Sequence, residues 1–235
     1  MVEGRFLAES GKMLDEISSM EEIWTEWEQH YAHLKINPKR VCKDGIMNLE
    51  KFHDKETQPK ILFILRDSNN PKGGSDLREI FKDGPKYQMG YAIARWATGI
   101  FKQFPPYKQI ERDNSLLKES LLKVAVINLK KTGGASQAIL PAINAYAYND
   151  RKLLLKQIHS IKPNLILACG TLDYLIWLLD LNVDPDIPWE NPIKDEIREA
   201  WIISIRHPIR DNNPQATYER LRKSLEKISS GTGLY

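Results

Sequence analysis

Cysteine is scarce in this sequence: only Cys42 and Cys169 are present, far apart, and Cys169 lies in an apolar run. So low a count excludes a disulfide framework and argues against a multi-cysteine metal or iron–sulfur site; it fits a reducing cytoplasm. No apolar run approaches the roughly 18 residues that a membrane-spanning helix needs, so no membrane association is expected. Met1 to Ser10 lacks an apolar core after a basic start and does not read as a secretory signal. Excess charge of one sign is also small, at +3. Such a balance neither demands nor excludes nucleic acid, because a local basic face matters more than the total.

Several catalytic signatures are missing too. No G-x-G-x-x-G follows the first apolar run, and Lys130-Lys131-Thr132-Gly133-Gly134 has P-loop letters in the wrong order. There is no G-x-S-x-G elbow and no H-E-x-x-H. His30 and His33 lie three apart on a helical stretch without an evident third ligand, so packing or surface roles are expected for them and no metal or cofactor is.

What is present is an alternation of short apolar runs and helical periods. The chain of 235 residues suits one α/β domain. Ile17, Met20, Trp24, Trp27 and Tyr31 form the stripe of a leading helix, followed by a loop with Asn37-Pro38 and Asp44-Gly45. Four runs read as strands: 61–65, 124–127, 165–169 and 201–205. Helices are expected from about Gln88 to Phe101, from an Asn149 cap to Ile161, from a Thr171 cap to Leu181, and from Pro214, with Tyr218, Leu221, Leu225 and Ile228 as the buried stripe of the last. This order predicts a three-layer, doubly wound sheet of four parallel strands in the order 2-1-3-4, with right-handed crossovers. Residues 1–58 read as an N-terminal helical extension packed on a core domain over 59–235.

Ligands of open parallel sheets bind beyond the carboxyl ends of the strands. Here those ends carry Arg66-Asp67-Ser68-Asn69, Asn128, Gly170-Thr171 and Arg206-His207, which a parallel sheet would bring to one rim. Each could equally serve its own loop: Asp67 and Asn69 in Asx-turns, Asn128 on loop amides, His207 as a structural histidine. Their convergence is what favours a pocket.

Several segments together resemble the uracil-DNA glycosylase superfamily, over roughly Lys60 to Ile228. Lys162-Pro163-Asn164 followed by Leu165 to Gly170 resembles its element of helix, proline, apolar strand and glycine. Val126-Ile127-Asn128-Leu129 resembles its strand ending in a base-reading asparagine, His207-Pro208 its His-Pro motif, and Gly84-Pro85-Lys86-Tyr87 its Gly-x-Pro-Phe element. The resemblance implies base flipping into the pocket. It implies stacking by Tyr87, edge reading by Asn128, and donation by His207 to the departing base. It also implies a water held after the first strand, and a wedge from Ile209 and Arg210. Lys130, Lys131, Gly133, Arg206, Ile209 and Arg210 would contact DNA, the expected partner.

The pattern departs from the family where glycine would follow the first strand. Aligning on the strand end gives Asp67 or Ser68 the water; aligning on Pro71 gives it to Asn70. Asp67 is preferred because a carboxylate is the better base. Ile209 replaces the serine after His-Pro, and the iron–sulfur cysteines of one branch are missing. The leading expectation is therefore a glycosylase-like hydrolase of a deaminated or modified base, uracil first among them. The alternatives are a non-catalytic nucleic-acid or nucleobase-binding module on the same fold, and an unrelated α/β enzyme with phosphate at the Thr171 helix start.

Overall fold

The computed structural model describes residues 21–134, 139–183, 188, 191–210 and 212–229. Ile17 and Met20 of the leading stripe, and most of the loop from Asp184 to Pro192, lie outside them. Within them the chain is α/β, built on one six-stranded sheet. The strands are β1 (Gly45–Ile46), β2 (Ile61–Ser68), β3 (Ala125–Gly133), β4 (Leu165–Cys169), β5 (Ile193–Asp195) and β6 (Ala200–Ile205). Helix α1 covers residues 21–33. It is followed by α2 (Leu49–His53), α3 (Leu77–Phe81), α4 (Tyr87–Phe101), α5 (Tyr107–Ile110), α6 (Asn114–Leu121), α7 (Leu140–Asn149), α8 (Arg151–Ile161), α9 (Leu172–Leu178) and α10 (Pro214–Ser229).

The spatial order is β1-β3-β2-β4-β6-β5. The four strands expected from the sequence lie at its centre, parallel, in the expected order. The sheet is nonetheless mixed rather than purely parallel, because β1 and β5 add antiparallel edges. At two and three residues these strands are too short to show a period, and they pair the two margins that a four-stranded sheet would leave open.

The continuous apolar runs follow from burial on both faces. Leu62, Ile64, Ala125, Ile127, Ile166, Ala168 and Ile202 join a cluster with Trp24, Trp27 and Tyr31 of α1, Leu154, Ile158 and Ile161 of α8, and Leu175 of α9. Ile61, Phe63, Leu65, Val126, Leu167 and Ile203 join a second cluster with Phe81 of α3, Ile93 and Trp96 of α4, Leu117 of α6 and Leu221 of α10. Successive strand residues thus serve opposite layers, as the period of two requires. Burying each such valine, leucine, isoleucine or phenylalanine side chain stabilises by about 1.5–3 kcal/mol.

The segment before Lys60 does more than cover one face. Besides α1 and β1, it sends Val41 to a bridge with Thr132 and the Cys42 N–H to the Lys131 carbonyl at 2.6 Å.

Several boundaries differ from expectation. β2 continues to Ser68 and β3 to Gly133, so Lys130 to Gly133 is strand rather than loop. Lysines and glycines suggested a loop, but this stretch pairs with β2, with a bulge between Asp67↔Lys130 and Ser68↔Gly133. Asn149 ends α7 and is not a cap; α8 begins after Asp150, whose carboxylate instead accepts from Tyr31 Oη at 2.6 Å and pairs with His30 Nε2 at 2.8 Å. Thr171 does not cap α9 with its side chain: its Oγ1 donates to the Ile64 carbonyl at 2.9 Å, tying β2 to the start of that helix. Pro214 opens α10 as expected, with Asn213 Oδ1 accepting from the Ala216 N–H.

Candidate functional site

The carboxyl ends of β2 and β6 and the middle of β3 open into a cleft of ≈ 540 Å³, a size suited to one small ring or nucleoside. Asp67 and Ser68 reach it from the end of β2, and Asn70 from the following turn. Asn128 reaches it from β3, His207 and Ile209 from just after β6, and Tyr87 from the start of α4. The candidate catalytic and base-binding residues are therefore lining one cavity. Leu77, Ile80 and Met89, from the helices between β2 and β3, supply an apolar wall.

Asn128 forms the buried back of the cleft, only 4% exposed. Its Nδ2 donates to Asp44 Oδ2 at 3.2 Å and its backbone N–H to the same oxygen at 2.8 Å. Its Oδ1 is buried and has no hydrogen-bond partner among the described residues. A buried acceptor left unpaired is costly and calls for a partner.

The Asp67 side chain is 10% exposed. Desolvation raises its carboxyl above the usual range, opposed by Lys130 and Arg66. Lys130 Nζ stands 3.8 Å from Asp67 Oδ2. A carboxyl raised in this way, at a cleft, is poised to take a proton.

His207 is pulled the opposite way. Burial, aided by the positive charges of Arg66 and Arg210, lowers its ring to about 4. Its Nδ1 accepts the Ile209 N–H at 3.4 Å, which puts the proton of the neutral ring on Nε2. The site therefore holds a carboxyl and an imidazole that desolvation shifts in opposite directions, each toward its neutral form.

Tyr87 lines the mouth, is 73% exposed, and has φ of 57°. A bulky residue in the left-handed region is held there against its preference, and such strain clusters at functional sites. Ile209, 41% exposed, and the exposed Arg210 share the short turn after His207 and are available to a base stack or a backbone. Arg206 is exposed too, but it lines a separate small pocket with Thr217 and Arg220 of α10, not the cleft.

The adjacent lysines are not. Lys131 is fully buried: its Nζ pairs with Asp44 Oδ1 at 2.7 Å and lies over the rings of Trp24 and Trp27 at 5.7 and 5.5 Å. It cannot contact DNA, and its role is structural. Lys130 is 7% exposed and turns its Nζ onto the Gly133 carbonyl at 2.6 Å, so it too is no surface cation; it acts on Asp67 instead. Gly133 lines a neighbouring cleft of ≈ 270 Å³ with Lys130, Gly134 and Asp67. A side chain on Gly133 would collide with the Asn70 carbonyl, and one on Gly134 with the Asp67 carboxylate.

Residues outside the expectations complete the rim. Arg66 Nε donates to the Gly170 carbonyl at 3.0 Å and separates the main cleft from another of ≈ 490 Å³ lined by Tyr148, Tyr174 and Trp177. Asp44, which anchors Asn128, reads in the sequence only as part of an Asp-Gly turn. Its role depends on a contact 84 positions away, which no local pattern reports. The start of α9 is occupied by Thr171, 0% exposed, and offers no support for a phosphate site. Among the described residues no group of three or more His, Cys, Asp or Glu could hold a metal ion, and no helix is long and apolar enough to cross a membrane.

No protein-family model and no curated protein matches the chain. Its functional reading therefore rests on the motifs quoted above and on this cleft.

Proposed function

We propose that the chain is a DNA glycosylase-like hydrolase that takes an extruded base into the cleft and cuts its N-glycosidic bond, with uracil the first candidate. The observation that carries the reading is that Asp67, Asn128, Tyr87 and His207, drawn from four separate segments, line one cavity of nucleobase size. In this reaction the Asp67 carboxylate accepts a proton from a water as the water oxygen bonds to the sugar C1′. The C1′–N bond breaks, its electron pair leaves with the base, and His207 Nε2–H donates to the base oxygen where that charge gathers. Tyr87 stacks on the ring, and Asn128 meets its edge. Arg206, Arg210 and Ile209 would meet DNA.

The test is base excision on oligonucleotides carrying uracil, hypoxanthine, xanthine or mispaired thymine, single- and double-stranded, followed by alkaline cleavage. Strand cleavage lost in Asp67→Ala and His207→Ala supports the hydrolase. One observation favours the second reading, a non-catalytic nucleic-acid or nucleobase-binding module: the Asp67 carboxylate is engaged by the Lys130 ammonium. Base or oligonucleotide binding without cleavage of any substrate would select it.

A further inference from the structure

We propose that Asp44, outside the cleft, is a positioning residue. It sets which way the Asn128 amide faces and so makes the buried back of the cleft an acceptor for a ligand N–H. The inference deepens the reading of the cleft as a base pocket and rests on it.

Asp44 is 0% exposed and sits behind Asn128. Its Oδ2 accepts the backbone N–H and Nδ2 of Asn128, while its Oδ1 accepts Gln157 Nε2 at 3.0 Å. Both oxygens accept from Lys131 Nζ, at 2.7 and 2.9 Å. An ionised carboxylate can only accept. It therefore selects the N–H corner of the Asn128 amide; the flipped amide would set Oδ1 against a buried negative charge. The planar amide then turns Oδ1 away from Asp44, and that oxygen is the atom left without a partner in a residue that lines the cleft.

Lys131 completes the arrangement. Its Nζ, fully buried against Trp24 and Trp27, donates to both Asp44 oxygens. The polarity of the pocket wall is thus fixed by a contact from the segment before β2. A ring with N–H at the matching edge recovers the missing hydrogen bond. A ring with N–CH3 there leaves the acceptor unpaired and adds bulk.

The experiment is calorimetric titration of the full chain with uracil and with 3-methyluracil, in which the ring N–H becomes N–CH3. Uracil is expected to bind at least about tenfold more tightly. The double variant Asp44→Asn/Lys131→Met removes both charges together, so that no buried charge stands alone, and asparagine at 44 can donate as well as accept. In it the preference is expected to fall to near unity while cooperative unfolding is retained. Equal affinities in the wild-type protein, or no binding of either base, overturn the proposal; an undiminished preference in the folded double variant removes Asp44 from it. If the double variant does not fold, solvent exchange of the Asn128 side-chain NH2 in the wild-type protein decides: protection supports the lock, and exchange as fast as for an exposed asparagine sinks it. Preference without any excision would leave the assignment of Asp44 standing while the hydrolase reading fails; excision without preference would do the reverse.

Discussion

The Ile209 N–H donates to His207 Nδ1 across 3.4 Å, so the neutral imidazole carries its proton on Nε2. Burial, with Arg66 and Arg210, keeps the ring neutral down to about pH 4. Excision should therefore show no histidine limb near the ordinary value of 6.5. His207→Ala should lower the rate about 10²–10³-fold. A limb near 6.5 that disappears in the variant would contradict this. The same depression acts on stability: the contribution is full above pH 6.5 and falls as pH drops toward about 4, because the unfolded ring takes a proton that the folded ring refuses. Denaturant midpoints across that window measure it.

Asp67→Asn should reduce excision about 10²–10⁴-fold while leaving the unfolding midpoint nearly unchanged. Lys130→Met removes the main charge that opposes desolvation of Asp67, so the carboxyl should rise further and the acid limb of the rate profile should move to higher pH. A limb that moves down, or not at all, would disconnect Asp67 from the rate.

Lys131→Met alone leaves the Asp44 carboxylate buried without its cation, and should destabilise by about 3–5 kcal/mol. Arg206→Ala and Arg210→Ala, both exposed, should each stay within about 0.5 kcal/mol of wild type. If the mouth meets duplex DNA, each arginine variant should lower the slope of log affinity against log salt by about 0.9 per lost phosphate contact. Thermal melts and salt titrations separate the buried cation from the exposed ones.

Tyr87→Gly should relieve the left-handed backbone, raising stability by about 1 kcal/mol, and should weaken base binding by about 1–3 kcal/mol through lost stacking. Gains or losses in both together would mean that Tyr87 is merely structural.

The contrast between Lys130-Lys131 and Asp67 shows what the sequence could and could not convey. The central strands were legible because Ile61 to Leu65 and Leu165 to Cys169 are buried on both faces and carry no polar interruption. The ends of the apolar runs pointed to Asp67, Asn128 and His207, although Asp67 and Asn128 lie within strands that continue to Ser68 and Gly133. Lys131 reads as surface charge by composition, and only Asp44, Trp24 and Trp27, all distant in the chain, make its burial tolerable. The same distance hid Asp44 as the anchor of Asn128, and β1 and β5 were too short to leave a periodic trace.

The glycine that ends β3 and the one after it carry a different lesson. Gly133 lies against the Asn70 carbonyl and Gly134 against the Asp67 carboxylate, with no room for a methyl group at either. Neither glycine has a side chain to bind or titrate, yet the carboxylate rests where it does because nothing projects from the backbone beside it. A relative that kept every polar residue of the cleft but carried alanine at the second of these positions would have its acid displaced. For recognising distant kin of this chain, hydrogen atoms at two α-carbons are therefore as diagnostic as the side chains they make room for.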